Sequence, residues 1–237
     1  MSRMWYVGDS WVDPEYTGRH EYENQTSWVQ DTATQLGCSE NINCAHAGSS
    51  PDWAITQLFK QQHLWRSGGA QDDMMIVSIS DFSRLNIRSL PPEHQHNATK
   101  TKQSTLVFRE IHNGYWDWQR CLSTMLLIQS ISIHWKRVML LTPFGIPRSG
   151  NSFSRTENQD IANQLVTSES NMWWFPRFIF YYDYMSSQRQ RVVDYRPNHI
   201  TGPHNTAMYN SSMDWFSRGE RRVYKPYKKM AQLHHGI

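Results

Sequence analysis

Short apolar runs alternate along this chain with longer stretches in which apolar residues recur at the spacing of helical turns. The runs end at Gly, Asp, Ser or Pro, a pattern typical of buried strands closed by turns. The longer stretches keep one apolar face and therefore predict amphipathic helices. Strands are predicted at residues 4–7, 40–47, 74–79, 138–142 and 178–182. Helices are predicted at residues 26–36, 51–65, 115–135 and 205–216.

The order of these elements, a strand followed by a helix and then repeated, is typical of an α/β fold. We expect a flavodoxin-like, doubly wound sheet of about five parallel strands in three α/β/α layers, formed by residues 1–217. Residues 82–114 are polar and interrupt the pattern as an irregular excursion. Residues 218–237 follow the last predicted helix as a basic tail.

The composition excludes several classes of protein. Aromatic residues make up 13% of the 237 residues, which is too many for a disordered chain. No apolar run approaches ~18 residues, so we expect no membrane span. The first predicted strand begins almost at Met1, which leaves no room for a signal peptide, and we expect synthesis in the cytoplasm. The three cysteines form no Cys-x-x-Cys pair, so we expect no structural disulfide.

The positive charge is concentrated at one end of the chain. Six basic residues and one acidic residue occur from Arg218 onward, a balance of +5, so a net charge of +3 leaves −2 for the rest. An acidic body with a basic tail is not typical of a nucleic-acid-binding domain. Because tyrosines are interleaved with the basic residues, we expect the tail to bind an acidic partner protein within a larger assembly.

Chemically active residues follow the predicted strands. The carboxyl ends of parallel strands meet at one edge of a sheet, where α/β proteins form their sites. A hydroxyl, an imidazole and main-chain N–H donors at this edge are the parts of nucleophilic acyl transfer. The residues concerned are Gly8, Asp9 and Ser10 after the first strand, Gly48 after the second, Ser80 and Asp81 after the third, and His199 before the last helix.

These residues resemble the motifs of the SGNH (GDSL-like) hydrolase family. The resemblance covers most of residues 4–216 and rests on Val7-Gly8-Asp9-Ser10-Trp11, Gly48, Ser78-Ile79-Ser80-Asp81 and His199. It implies a carboxylic-ester hydrolase with Ser10 as nucleophile and His199 as general base. It also implies oxyanion donors at the amides of Ser10 and Gly48, with Asp9 and Asp81 as supporting carboxylates.

Two positions depart from the family pattern. Ser80 stands where the family has an asparagine as the third oxyanion donor. Arg196 stands where the family has the acid that orients the histidine, and Asp194, five residues before His199, takes that role only if the intervening segment loops. His204 is a rival for the role of general base.

Other features favour structural roles. The pair His94 and His96 has no third ligand nearby, so we expect neither a metal nor another cofactor. The aromatic cluster at residues 172–176 is either part of the core or a surface that stacks on carbohydrate or contacts another protein. A nucleotide-binding function is disfavoured because a single glycine follows the first strand.

The sequence supports two functions. The first is an SGNH-type serine esterase or acetylesterase that acts on a surface polysaccharide as part of a phage particle. The second is a catalytically inactive SGNH-fold subunit that serves a structural or adaptor role in a virion. The abundance of Asn, Gln, Trp and Tyr resembles the composition of bacteriophage proteins. The expected partners are other virion proteins, bound through the basic tail, and a carbohydrate ester, with no nucleic acid and no membrane.

Overall fold

The computed structural model describes residues 2–17, 27–79, 114–143, 171–175 and 202–224. The strands are β1 (Arg3–Gly8), β2 (Glu40–Ala45), β3 (Met74–Ser78), β4 (Arg137–Leu141) and β5 (Met172–Phe175). The helices are α1 (Pro14–Thr17), α2 (Trp28–Gln35), α3 (Pro51–Lys60), α4 (Gln62–Trp65), α5 (Gly114–Ser132) and α6 (Gly202–Met213). A π-helical turn at Asp214–Arg218 continues α6.

The five strands form one all-parallel sheet in the order β2-β1-β3-β4-β5. This order is that of the flavodoxin-like doubly wound sheet, so the predicted fold class is confirmed. The strand paired with β4 is β5, at Met172–Phe175, and not the predicted strand at residues 178–182, which lies outside the described residues. The aromatic residues of β5 suit a pleated, half-buried surface, which explains why the aromatic cluster predicted at residues 172–176 forms a strand.

Alternation along each strand divides the core between the two faces of the sheet. Trp5 and Val7 of β1 point to the face that is covered by α3 and α5. Met4 and Tyr6 point to the opposite face, which is covered by α2 and α6. The side-chain period of two therefore produces the three layers.

The aromatic cluster of residues 172–176 contributes mainly to the core. Trp173 and Phe175 are buried, and the Trp173 ring lies 5.0 Å from the ring of Phe175 and 5.9 Å from that of Trp215. Trp174 is half-buried and its indole N–H donates to the Thr142 hydroxyl at 3.0 Å. These contacts agree with the core alternative.

The segment at residues 219–224, the first part of the predicted basic tail, packs against the body. The Arg221 guanidinium donates to the Met172 carbonyl at 2.9 Å, and Val223 joins the core beside α6. The Tyr224 hydroxyl donates to the buried Asp214 carboxylate at 2.6 Å. This segment is thus held by its own chain.

All three cysteines of the chain are free thiols. Burial raises the pKa of the Cys44 and Cys121 thiols to about 12, so both stay protonated at neutral pH. Within the described ranges, no helix has both the length and the apolar character needed to cross a bilayer.

Asp73 ties the beginning of β1 to β3, and its removal is expected to destabilise the fold. Its buried carboxylate accepts from the Arg3 amide at 2.8 Å, the Arg3 Nε at 2.7 Å and the Trp5 indole N–H at 2.9 Å. Asp73→Ala leaves these donors unpaired and should lower the free energy of unfolding by about 3 kcal/mol in urea titrations. Asp72, the exposed neighbour of Asp73, supplies the control, because Asp72→Ala should change the free energy of unfolding by less than ~0.5 kcal/mol.

The pair Asp214 and Tyr224 is expected to make stability depend on pH. The Tyr224 hydrogen bond and the Arg218 charge lower the pKa of Asp214 in the folded state, against the effect of burial. A depressed folded pKa stabilises the fold above the unfolded value of ~3.9, and this stabilisation is lost as pH falls through the folded pKa. Tyr224→Phe should therefore be less stable than the wild type at pH 7, and the difference should shrink below pH ~4.

Thermal unfolding between pH 7 and pH 3 measures this difference. Tyr209 lies on α6 and does not contribute to the lowered pKa of Asp214, so Tyr209→Phe is the control and should show no such pH-dependent difference. A difference between wild type and Tyr224→Phe that stays constant across the range would contradict the assignment.

Candidate functional site

The candidate site lies where the strand order of the sheet reverses. β2 pairs with one side of β1, and β3 pairs with the other side. The connection after β1 therefore crosses one face of the sheet, and the connection after β2 crosses the opposite face. Doubly wound sheets form their ligand crevice at this point. Ser10 follows the end of β1 by two residues and therefore lies at the crevice.

Gly8 brings the end of β1 against β3 at a distance that only glycine allows. Its φ is +140°, and a Cβ at this position would lie 2.4 Å from the Ser78 carbonyl oxygen. The Gly8 carbonyl accepts from the His46 amide at 3.0 Å and from the Ser49 hydroxyl at 2.7 Å. The end of β1 is thus joined both to β3 and to the loop after β2.

Asp9 organises the turn that carries Ser10. Its carboxylate is buried and accepts from the Trp11 amide at 3.3 Å and from the Ser78 hydroxyl at 3.0 Å. Its carbonyl accepts from the amides of Val12 and Asp13, both at 3.0 Å. Side chain and main chain together close one compact turn around Ser10.

Ser10 and Gly48 contribute main-chain amides at this edge. Ser10 is buried, with 7% of its surface exposed, and Gly48 has a left-handed φ of +84°. Across the described ranges, neither the Ser10 amide nor the Gly48 amide has an acceptor. Main-chain N–H groups of this kind are the donors that oxyanion holes use in acyl-transfer enzymes.

Asp13 is a site residue that the sequence pattern did not reveal. Its buried carboxylate accepts from the Ala47 amide at 3.1 Å and from the Glu15 amide at 3.0 Å, so it ties the Ser10 turn to the loop that holds Gly48. Burial raises the pKa of Asp13, while the two amide bonds and the charge of His46 act in the opposite direction. The only signal in the sequence was an aspartate three residues after Ser10.

The described residues bring Asp9, Ser10 and Gly48 to one edge of the sheet. Four other predicted site residues lie outside the described part of the chain, and their roles stay predictions: Ser80, Asp81, Asp194 and His199. His204 belongs to the first turn of α6, and its side chain is outside the described part. Among the described residues, no group of His, Cys, Asp or Glu side chains could hold a metal ion.

The direction of α6 bears on the site. The π-helical turn that ends this helix accepts hydrogen bonds from Arg137, the first residue of β4, at the carbonyls of Trp215 and Phe216 (2.9 and 2.5 Å). The end of α6 therefore lies at the amino edge of the sheet, and its beginning at Gly202 points toward the carboxyl edge, where Ser10 lies.

This chain has only limited similarity to known proteins. The sequence matches no family model, and no curated protein matches it significantly. The chain is similar to the crystal structure of TesA, with 12% identity, a TM-score of 0.47, and coverage of 92% of this chain and 98% of that chain. It is also similar to the crystal structure of the lipase Lip_vut3 from a goat rumen metagenome, with 13% identity, a TM-score of 0.48, and coverage of 94% and 100%. At these values neither similarity assigns a family or an activity.

Asp13 is expected to hold the Gly48 loop in place. Asp13→Ala removes the acceptor of the Ala47 amide, so this amide should lose protection against hydrogen exchange by about fivefold, the effect of ~1 kcal/mol of lost hydrogen bonding. Amide exchange followed by NMR measures it. Glu15→Ala is the control, because the exposed Glu15 side chain can be removed while its amide still donates to Asp13. Unchanged protection in Asp13→Ala would refute the positioning role.

Proposed function

We propose that this chain is a serine esterase of the SGNH type, with Ser10 as its nucleophile. One observation carries the proposal: Ser10 follows β1 in a closed turn at the crevice, and the amides of Ser10 and Gly48 have no acceptor within the described residues. A hydroxyl next to available N–H donors is the arrangement that acyl transfer requires. The Asp9 bonds and the Gly8 contact with β3 fix this arrangement before a substrate binds.

In the proposed reaction, the Ser10 Oγ attacks the carbonyl carbon of the ester and its proton passes to His199. The new Oγ–C bond places negative charge on the carbonyl oxygen, and the amides of Ser10 and Gly48 donate to it. Collapse breaks the bond to the alcohol oxygen, which leaves with the proton from His199. Water then attacks the acyl-serine in the same way, and the carboxylic acid is released.

The choice of His199 as base is supported by the direction of α6. This helix begins at Gly202, three residues beyond His199, and its beginning points toward the edge that carries Ser10. Ser80, which follows β3 by two residues, would supply the third oxyanion donor from its hydroxyl. Asp194 would orient the imidazole, with Asp81 as a further supporting carboxylate.

For the substrate we propose an O-acetyl ester of a polysaccharide. Incorporation into a virion and binding of partner proteins through the basic tail at residues 218–237 stay predictions from the sequence. The segment at residues 219–224 is engaged by the body, so a truncation that tests partner binding should begin at residue 225.

The decisive experiment compares nitrophenyl acetate hydrolysis by the wild type and Ser10→Ala. Loss of the nucleophile should lower kcat by at least ~10³-fold, since hydrolases that lose it keep only the contribution of binding and the oxyanion donors. Ser39→Ala, at an exposed serine before β2, is the matched control and should keep full activity. Labelling with a fluorophosphonate should modify the wild type and Ser39→Ala at Ser10 only.

The negative outcome identifies the second candidate function. A folded wild type that neither hydrolyses the ester nor reacts with the fluorophosphonate would contradict the esterase proposal and favour the non-catalytic structural subunit.

If the wild type is active, His199→Ala should lose turnover and His204→Ala should keep it. The reverse result would assign the base to His204.

A further inference from the structure

A polar groove lies between α3 and α5 and has a volume of about 300 Å³, the lower end of the range for small-ligand sites. We call it the α3–α5 groove. It is lined by Asp52 of α3 and by Trp116, Gln119, Arg120, Ser123 and Thr124 of α5. Each of these six residues carries a hydrogen-bonding group, which in Trp116 is the indole N–H.

One end of the groove, formed by Asp52 and Trp116, lies toward the edge of the sheet that carries Ser10. α5 leads from its end at Ser132 into the beginning of β4, so it begins at the carboxyl edge, and Trp116 lies in its first turn. Asp52 follows Gly48 by four residues, which limits their Cα separation to ~15 Å. A chain-like substrate with its ester at Ser10 can therefore extend toward the groove.

Contacts within the groove fix its aromatic ring. The Arg120 guanidinium lies over the Trp116 ring at 4.6 Å from its centroid, and it also forms an ion pair with the Asp52 carboxylate. The Arg120 side chain is only 13% exposed, whereas that of Asp52 is 47% exposed. Ring and polar groups are thus held together before anything binds.

The chemistry of the groove suits a neutral sugar. A sugar ring presents vicinal hydroxyls, which need donors and acceptors, and a C–H face, which packs on an indole. The carboxylate, guanidinium, amide and hydroxyls of the groove supply both kinds of partner. Because Asp52 already neutralises the charge of Arg120, an acidic sugar would lose hydration of its carboxylate in the groove and gain no counter-ion, so the ion pair favours a neutral sugar.

We infer that the α3–α5 groove is a subsite for a neutral saccharide unit next to the ester that Ser10 cleaves. This inference rests on the proposed function for its place in the reaction. The binding of saccharide by the groove does not depend on catalysis and can be measured separately. Trp116 provides the stacking surface, and Asp52, Gln119 and Arg120 bind hydroxyls.

Binding is measured in the Ser10→Ala background, so that no ester is turned over. The probes are O-acetylated xylo-oligosaccharides and glucomannan oligosaccharides, which are neutral, and O-acetylated oligogalacturonides, which are acidic. Titration followed by NMR should show binding of a neutral probe, and adding Trp116→Ala should weaken it by about tenfold. Trp116→Phe should restore most of the affinity. Leu126→Ala, at an exposed residue of α5 outside the groove, should leave it unchanged.

Gln119→Ala is the second variant if Trp116→Ala does not fold, because Gln119 is exposed at the groove and its replacement should also weaken binding. Failure of every neutral probe to bind, or binding of the acidic probe alone, would overturn the inference. An affinity for the neutral probe that none of the groove variants changes would also overturn the inference.

Kinetics separates this inference from the proposed function. In an active enzyme, Trp116→Ala should raise KM for the O-acetylated oligosaccharide about tenfold and leave nitrophenyl acetate hydrolysis unchanged, because the small ester does not reach the groove. Equal effects on both esters would refute the subsite while the esterase stands. Saccharide binding by a chain that hydrolyses neither ester would refute the esterase while the groove stands.

Discussion

The contact between the end of β1 and Ser78 of β3 is the constraint on which the candidate site depends. Gly8 approaches the Ser78 main chain so closely that no side chain fits, and the Ser78 hydroxyl donates to the Asp9 carboxylate. Ser10 is therefore carried on a turn that is anchored to the interior of the sheet. In the proposed reaction this anchoring would limit the freedom of Ser10 to move away from the ester, and such positioning favours attack.

A second set of bonds fixes the loop of Gly48 relative to this turn. Asp13 binds the Ala47 amide from one side, and the Ser49 hydroxyl binds the Gly8 carbonyl from the other. The Asp13 carboxylate and the Ser49 hydroxyl are both buried, and each has its hydrogen-bond partner on the opposite segment. Two loops from different strands are thus joined by hydrogen bonds, and the proposed stabilisation of an oxyanion depends on donors preorganised in this way.

The same loop also connects the site to the α3–α5 groove. Directly after Gly48 and Ser49, the Ser50 hydroxyl accepts from the Trp53 amide and begins α3, which places Asp52 in the first turn. Arg120 then reaches from α5 to Asp52 across the face of the sheet. A few residues after β2 therefore contribute to both the proposed chemistry and the proposed saccharide subsite.

The sequence by itself determined the fold class and the position of the proposed nucleophile. Apolar runs such as residues 74–79 and 138–142 are buried on both sides, and the helices between them enforce parallel pairing, so the sheet and its carboxyl edge follow from local pattern. Ser10 and Gly48 could be placed at that edge because each directly follows a strand or its loop.

Tertiary structure decided what local pattern does not encode. The aromatic residues of β5 are equally suited to a surface cluster or a strand, and only pairing with β4 buries them. Asp13 belongs to the candidate site because its carboxylate binds the amide of Ala47, which is 34 residues later in the chain. Asp52 likewise binds Arg120, which is 68 residues later. The residues 219–224 are basic in sequence but are held by Met172 and Asp214. Contacts between residues far apart in the chain depend on how whole helices and strands pack together. The hydrophobic periodicity of the sequence predicts local elements and therefore does not predict these contacts.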